Sequence, residues 1–180
     1  IAVNRMMDEI NSLLGFSKQS EALRAEYGRA DTVIDRAIKT VKALPEFEST
    51  AITLTHGEQC VGWFDSAKLE RAMLNLLFNA AEAVPADSGR IDVSCSVSDR
   101  GTEIRVADNG PGIPEPIRDS LFQPFVSHGK EKGIGLGLTV VQNIMGQHRG
   151  EVTVESTGAA GTVFRLFFPA AGSPANAKTA

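Results

Sequence analysis

The sequence predicts an α/β sandwich, one mixed sheet with helices on one face. Two patterns point to it. Ile91, Val93, Cys95 and Val97 alternate strictly, as a half-buried strand requires, whereas Leu69, Met73, Leu76 and Ala80 recur at helical spacing. Stretches of the two kinds are interleaved without a strict strand–helix–strand alternation, which calls for a mixed sheet. The chain has 180 residues, 42% of them hydrophobic, enough for one core with a small appendage.

Val3, Met6, Ile10, Leu13 and Leu14 recur at steps of three and four, a heptad-like stripe on a first helix of about four turns. One such stripe is unstable alone and needs a partner helix, from an upstream segment or a second chain. The chain begins at Ile1 with helical periodicity already running, so it is expected to be a fragment. Residues 1–20 are assigned to this helical segment and 21–29 to a polar linker. Asp31 is expected to cap a second helix with Val33, Ile34, Ala37, Ile38 and Val41 apolar, and Pro45 to end it. Ala51 to Leu54 and Cys60 to Phe64 suggest strands. Asp65 is a good cap for a third helix, Ser66 to Val84. After the Ile91 strand, Arg100-Gly101 makes a turn, and Ile104, Val106 and Asp108 share one face of the next strand. Short helical pieces are expected from Pro114 to Phe125, a loop from Ser127 to Gly135, and a helix from Leu138 to His148. Two closing strands, Glu151 to Glu155 and Thr162 to Phe168, end a globular unit spanning 30–169. The tail, 170–180, is rich in Ala, Gly, Ser and Pro and is expected to be disordered.

Charged residues make up 22% of the chain and the net charge is −4, so no basic field argues for nucleic acid or an acidic membrane surface. No apolar run approaches ~18 residues, so no membrane span is expected, and no signal peptide is visible. Cys60 and Cys95 lie in no metal or redox spacing and are expected as small buried residues in a reducing compartment.

The candidate site lies between Asp108 and Leu138. Asp108-Asn109-Gly110-Pro111-Gly112-Ile113-Pro114 opens the stretch and Gly133-Ile134-Gly135-Leu136-Gly137-Leu138 closes it. Asp108 points inward by strand parity and needs donors; the exocyclic amine of adenine would serve. It could equally be a turn aspartate before Asn109-Gly110. Gly110 and Gly112 would let backbone pass close to a planar base. Gly133, Gly135 and Gly137 lead into a helix, whose first amides make an anion site suited to a triphosphate. Lys130 and Lys132 could neutralise it, or simply be solvated. Phe122 and Phe125 would anchor the loop or sit in the core. The run fits neither the Rossmann fingerprint nor the P-loop. On the third helix a second stripe reads Lys68, Arg71, Asn75, Asn79, Glu82. Asparagine has no propensity reason to recur there, but its neutral oxygen can ligate Mg2+. The alternative is an Asn pair satisfied by nearby backbone.

Asn75-Leu76-Leu77-Phe78-Asn79-Ala80, the Asp108–Pro114 run, Leu121-Phe122-Gln123-Pro124-Phe125 and the Gly133–Leu138 run resemble, in this order, the N, G1, F and G2 boxes of sensor histidine kinases of bacterial two-component systems. The resemblance covers about Asp31 to Pro169, and more loosely the first helix. It implies the Bergerat-type ATP-binding sandwich shared with gyrase, mismatch-repair and chaperone ATPases. It also implies ATP and Mg2+ as cofactors. Asn79 would ligate the metal, Asn75 would support metal and phosphates, and Lys130 would be a lid lysine. Asp108 would bond the adenine amine. Gly110, Gly112, Ile113, Phe125, Gly133, Gly135, Leu136, Gly137 and Leu138 complete the implied nucleotide-binding set, and the loop between Phe125 and Gly133 would be the ATP lid. The first helix, with Leu13-Leu14-Gly15-Phe16, resembles the second helix of a dimerisation and phosphoacceptor domain.

The implied activity is that of a protein histidine kinase, donating the γ-phosphate to a histidine. His56, His128 and His148 are followed by Gly57, Gly129 and Arg149, none of them acidic, so none fits the phosphoacceptor motif. The acceptor is expected upstream of Ile1 and the fragment is not expected to phosphorylate itself. The lid reads Ser127-His128-Gly129-Lys130, where the family more commonly has Thr or Ser close before Lys. The implied partners are the dimerisation domain, a response regulator receiver domain and, in the full-length protein, a second copy of the chain. Neither nucleic acid nor direct membrane contact is expected; the implied location is cytoplasmic, with anchoring of the parent left open. The competing readings are a hydrolytic ATPase of the same superfamily and a nucleotide-binding pseudo-kinase. Hydrolytic members carry a Glu one turn before the metal Asn; here that position is Asn75, a poor base.

Overall fold

The structure is a computed structural model and describes residues 22–57, 60–126 and 135–170. The chain enters through strand β1 (Glu26–Arg29) and turns directly into helix α1 (Ala30–Lys42). The helix begins without a side-chain cap; the Ala30 amide instead donates to the carbonyl of Cys60 at 2.8 Å. Asp31 is therefore not the cap that the sequence suggested. It lies in the first turn, where its buried carboxylate takes the Arg29 guanidinium and favours the helix dipole. Glu26–Arg29, expected within the linker, is a strand because it pairs antiparallel with β3 (Val61–Phe64) in a separate ribbon.

A short 3-10 turn (Pro45–Phe47) leads to β2 (Ala51–His56), and β3 is followed by helix α2 (Ser66–Ala83). Asp65 caps α2 as expected, accepting the amides of Ala67 and Lys68 at 3.1 Å. Strands β4 (Arg90–Ser98) and β5 (Gly101–Asp108) follow, then α3 (Glu115–Arg118), α4 (Gly137–Gln147), β6 (Glu151–Gly158) and β7 (Gly161–Pro169). The main sheet has the order β2-β4-β5-β7-β6. β2 and β4 run parallel and the other neighbours antiparallel, so the sheet is mixed as predicted.

One face of this sheet presents Ile91, Val93, Cys95, Ile104, Val106, Phe164, Leu166 and Phe168, all buried. α1, α2 and α4 cover it, contributing Ile34, Val41, Leu69, Met73, Leu76, Leu77 and Met145. Each such large side chain contributes about 1.5–3 kcal/mol from burial, which makes this layer the main source of stability. The opposite face carries charges: Arg105 pairs with Glu103 and Glu155, and Arg165 with Glu103. The two faces follow the period of two in the strands.

The ribbon is joined to the sheet by Thr102, whose hydroxyl donates to the carbonyl of Val61 at 2.6 Å. The structure also brings Cys60 and Cys95 together as a disulfide, with Cα atoms 6.0 Å apart. Both are buried, as expected, but they are bonded to each other rather than two separate thiols, which corrects the expectation of reduced cysteines. A separation of 35 residues hid that relation from the sequence.

Candidate functional site

Two approaches to α2 define the site: Gly137, the first residue of α4, comes close to Asn75 in its middle, and Gly110, just after β5, comes close to Ala83 at its end. α2 buries Leu69, Met73, Leu76 and Ala80, which leaves Asn75 and Asn79 half-buried on its next face. Asn75 donates its side-chain amide to the carbonyl of Arg71 at 2.8 Å. For Asn75 this is the satisfaction by nearby backbone that the alternative expected, but it uses only the amide. The oxygen of Asn75 faces Gly137, the first residue of α4. A Cβ there would lie 3.0 Å from Asn75 Oδ1 and 3.7 Å from Asn79 Nδ2. Gly137 thus allows the helix start to reach the two asparagines, and among the described residues α4 has no side-chain cap at its N-terminus. A neutral side-chain oxygen beside the start of a helix is chemistry that suits a divalent cation and phosphate ligands.

Asp108 ends β5 on the inward face, beyond Ile104 and Val106. Its Oδ1 accepts the amides of Gly110 at 2.8 Å and Thr162 at 3.3 Å. Burial pushes its carboxyl above the ordinary range, and these two amides oppose that shift. The turn reading of Asp108 is thus realised, and it does not conflict with the nucleotide reading, since a carboxylate has a second oxygen able to accept.

The G1 glycines are tight for reasons internal to the protein. A Cβ on Gly110 would lie 2.9 Å from Asp108 Oδ1, and Gly112, at φ +82°, abuts the backbone of Gly158. The close approach described here is to protein, whereas a planar base was expected. Ile113 is half-buried and its amide donates to Thr157 Oγ1 at 2.7 Å. Thr157 and Thr162 hydroxyls lie 3.2 Å apart, so a hydroxyl pair stands beside Asp108. No local pattern marks these threonines. Thr162 reaches Asp108 because β5 and β7 pair with those residues opposite.

Phe125 departs from expectation. It is 68% exposed and sits at φ +64°, so it is not core. Its amide donates to the carbonyl of Gly135 at 3.0 Å, and Gly135 itself has φ +73°. The two ends of the lid stretch are thereby held together, with a non-glycine residue in the left-handed region. Phe122 does pack against the core. Leu136 is buried and Leu138 packs on the core, so both serve the scaffold of the glycine run. Lys130, Lys132 and Gly133 lie outside the described residues, as do the first helix and the tail.

A concavity of about 640 Å³ borders the β6–β7 turn, lined by Arg90, Asp92, Asn109 and Gly158–Gly161. Of the candidate residues only Asp108 reaches it. It does not include Asn75, Asn79 or Gly137, and the chemistry argues for the meeting of α2 and α4 instead.

Known proteins match this arrangement. Residues 64–172 match the family described as histidine kinase-, DNA gyrase B-, and HSP90-like ATPases. The C4-dicarboxylate transport sensor protein DctB of Rhizobium meliloti is 42% identical over 111 residues, 61% of this chain and 17% of its own length. The sensory histidine kinase/phosphatase NtrB of Escherichia coli O157:H7 is 29% identical over 92% of this chain and 49% of its own. The chain thus spans half or less of these curated relatives. Among solved structures, a mycobacterial sensor histidine kinase, MprB, is 30% identical with a TM-score of 0.71, covering 80% of this chain and 97% of that one. The histidine kinase ShkA, solved with AMPPNP, shares the fold at a TM-score of 0.73 over 94% of this chain, at 22% identity. The chain belongs to the histidine kinase-, DNA gyrase B- and HSP90-like ATPase family and carries the catalytic ATP-binding domain of a sensor histidine kinase.

Proposed function

We propose that this domain binds Mg-ATP and donates the γ-phosphate to a histidine on a dimerisation and phosphoacceptor domain, in two-component signalling. The observation that carries the reading is the meeting of Asn75, Asn79 and Gly137. It sets the Asn75 oxygen and the Asn79 amide against the start of a helix, where phosphates are favoured. A bound Mg2+ supplies charge neutralisation on the phosphates. The chain's own residues do the positioning. Asn79 holds the metal, Asn75 supports it and the phosphates, and the α4 amides with Gly133, Gly135 and Gly137 line the phosphate path. Asp108 fixes the adenine, and Lys130 in the lid approaches the phosphates. Asn75 stands where a water-activating carboxylate would be needed for hydrolysis, and an amide is no base. Transfer to an incoming imidazole needs no such base in this domain: the nitrogen bonds the γ-phosphorus, the bond to the bridging oxygen breaks, and ADP leaves. The acceptor domain, a second copy of the chain and a receiver domain are the proposed partners, in the cytoplasm.

The test is calorimetric titration with MgADP and MgATP, followed by incubation with γ-labelled ATP. Saturable binding with roughly micromolar to submillimolar Kd is expected, with no phosphohistidine on this chain alone and acid-labile label on the parent protein. Absence of saturable binding would refute the reading. Label on this chain alone would refute the placement of the acceptor.

A further inference from the structure

His148 follows the last turn of α4 and is half-buried against the start of α2. The Asp65 amide donates to its Nε2 at 2.9 Å, and its Nδ1 donates to the carbonyl of Ile144 at 2.7 Å. This pattern requires the neutral ring with its proton on Nδ1. The Phe168 ring meets it edge-on at 5.3 Å. Beside it, Lys68 Nζ donates to Gln147 Oε1 at 2.7 Å. The Asp65 carboxylate takes the Arg24 amide at 3.0 Å, besides those of Ala67 and Lys68. One end of the α2–α4 pair, and the chain leading into β1, are bonded at a single point.

The two helices run antiparallel. Residues 65 and 68 of the one meet 148 and 147 of the other, and Asn75 and Asn79 meet Gly137. The ten helical steps from Gly137 to Gln147 put those two ends about 15 Å apart. Helices transmit axial position over such a span because packed cores do not deform continuously. At the far end, clearance is small: a single added carbon on Gly137 would meet Asn75 at 3.0 Å.

We propose that His148 is a positioning residue for the nucleotide site: by accepting the Asp65 amide it sets where α4 lies along α2, and so the spacing of Gly137 from Asn75 and Asn79. The inference rests on the nucleotide-binding reading above. Protonation would put a donor on both ring nitrogens and leave the Asp65 amide facing another N–H. Burial opposes that protonation and lowers the His148 pKa, while its bond to the Ile144 carbonyl and the Asp65 charge raise it and the Lys68 charge lowers it further. β7 presents only the uncharged Phe168, and Arg149 follows on its own segment. The contact is therefore present at neutral pH and is lost on acidification below the ordinary histidine range.

The test is titration of the full chain with MgADP at pH 7.5 and 5.5, for wild type, His148→Phe and His148→Gln. Phenylalanine keeps ring volume without an acceptor; glutamine keeps an acceptor that cannot be protonated. His148→Phe is expected to weaken Kd at pH 7.5 by roughly two- to thirtyfold, the range of coupling through packed elements. His148→Gln is expected to recover most of it. The wild-type-to-Gln affinity ratio should then fall at pH 5.5, where titration of the ligand cancels. In wild type, exchange of the Asp65 amide should slow on MgADP binding. If His148→Phe melts lower yet binds MgADP as wild type does, the role is merely structural and the proposal fails. If it does not fold, an Asp65 exchange rate indifferent to MgADP and an unchanged wild-type-to-Gln ratio would still overturn it. Wild type that fails to bind MgADP at all would instead defeat the nucleotide-binding reading.

Discussion

Asp108→Asn is expected to separate the adenine recognition proposed for Asp108 from folding. The Asp108 carboxylate is held by the amides of Gly110 and Thr162 on one oxygen, and burial raises its pKa. The ionised form is therefore already under a desolvation cost. An asparagine keeps the shape and the Oδ1 acceptor while removing the charge, so stability should change by no more than about 1 kcal/mol. Binding should respond very differently. A hydrogen bond from the adenine amine to a charged acceptor is worth about 1.5–3 kcal/mol, and an unsatisfied donor left facing a donor costs about 1–3 more. Flipping the asparagine does not help, since its NH2 would then meet the two backbone amides. The sum, about 2.5–6 kcal/mol, corresponds to a loss of roughly fiftyfold or more in Kd. Calorimetric titration with MgADP, beside thermal unfolding of the same samples, reads both quantities. Binding within about threefold of wild type by a variant that melts normally would remove Asp108 from the site.

The other predictions probe the glycines, the acid limb and the cysteine pair. Gly137→Ala places its methyl 3.0 Å from Asn75 Oδ1. A helix gain of about 0.5–1 kcal/mol should offset a strained Asn75–Arg71 bond of about 1 kcal/mol. Melting should hardly move while MgADP affinity drops; unchanged affinity would dissociate Gly137 from the phosphate path. Gly161, at φ +120°, abuts the Asp108 carbonyl, so Gly161→Ala should destabilise strongly in urea titration, by at least about 2 kcal/mol; a wild-type midpoint would contradict the turn geometry. The Arg29 hydrogen bond holds the Asp31 carboxyl below its ordinary 3.8, against the cost of burial. Its stabilisation is thus present above that value and lost as pH falls below it. Asp31→Asn should be less stable than wild type at pH 7, and the gap should close below about pH 3.8; a gap constant with pH would exclude the ion pair as its source. Reducing the Cys60–Cys95 bond, which closes a loop of 35 residues, should lower unfolding stability by about 3–4 kcal/mol. Identical melting with and without reductant would show that the bond is not closed in solution.

The sequence by itself determined the elements that rest on local periodicity and local chemistry. α2 and its Asp65 cap follow from apolar spacing and a side chain that can reach Ala67 and Lys68. The inward aim of Asp108 follows from the parity of Ile104 and Val106. The four boxes were readable because each is a short run whose spacing carries its meaning. Three features were not readable. The strand Glu26–Arg29 exists only because β3 lies beside it; its residues have no strand signature of their own. Asp31 reads locally as a cap, because the carbonyl that receives the Ala30 amide comes from Cys60, thirty residues away. Phe125 was read as an anchor, since nothing in its sequence shows a left-handed backbone and an exposed ring. The tertiary structure alone decided which separate pieces meet: Cys60 with Cys95, Thr162 with Asp108, Gly137 with Asn75, and His148 with Asp65. Contacts between residues so far apart depend on strand order and helix register, and those are set by how the whole apolar face closes rather than by any short run of residues.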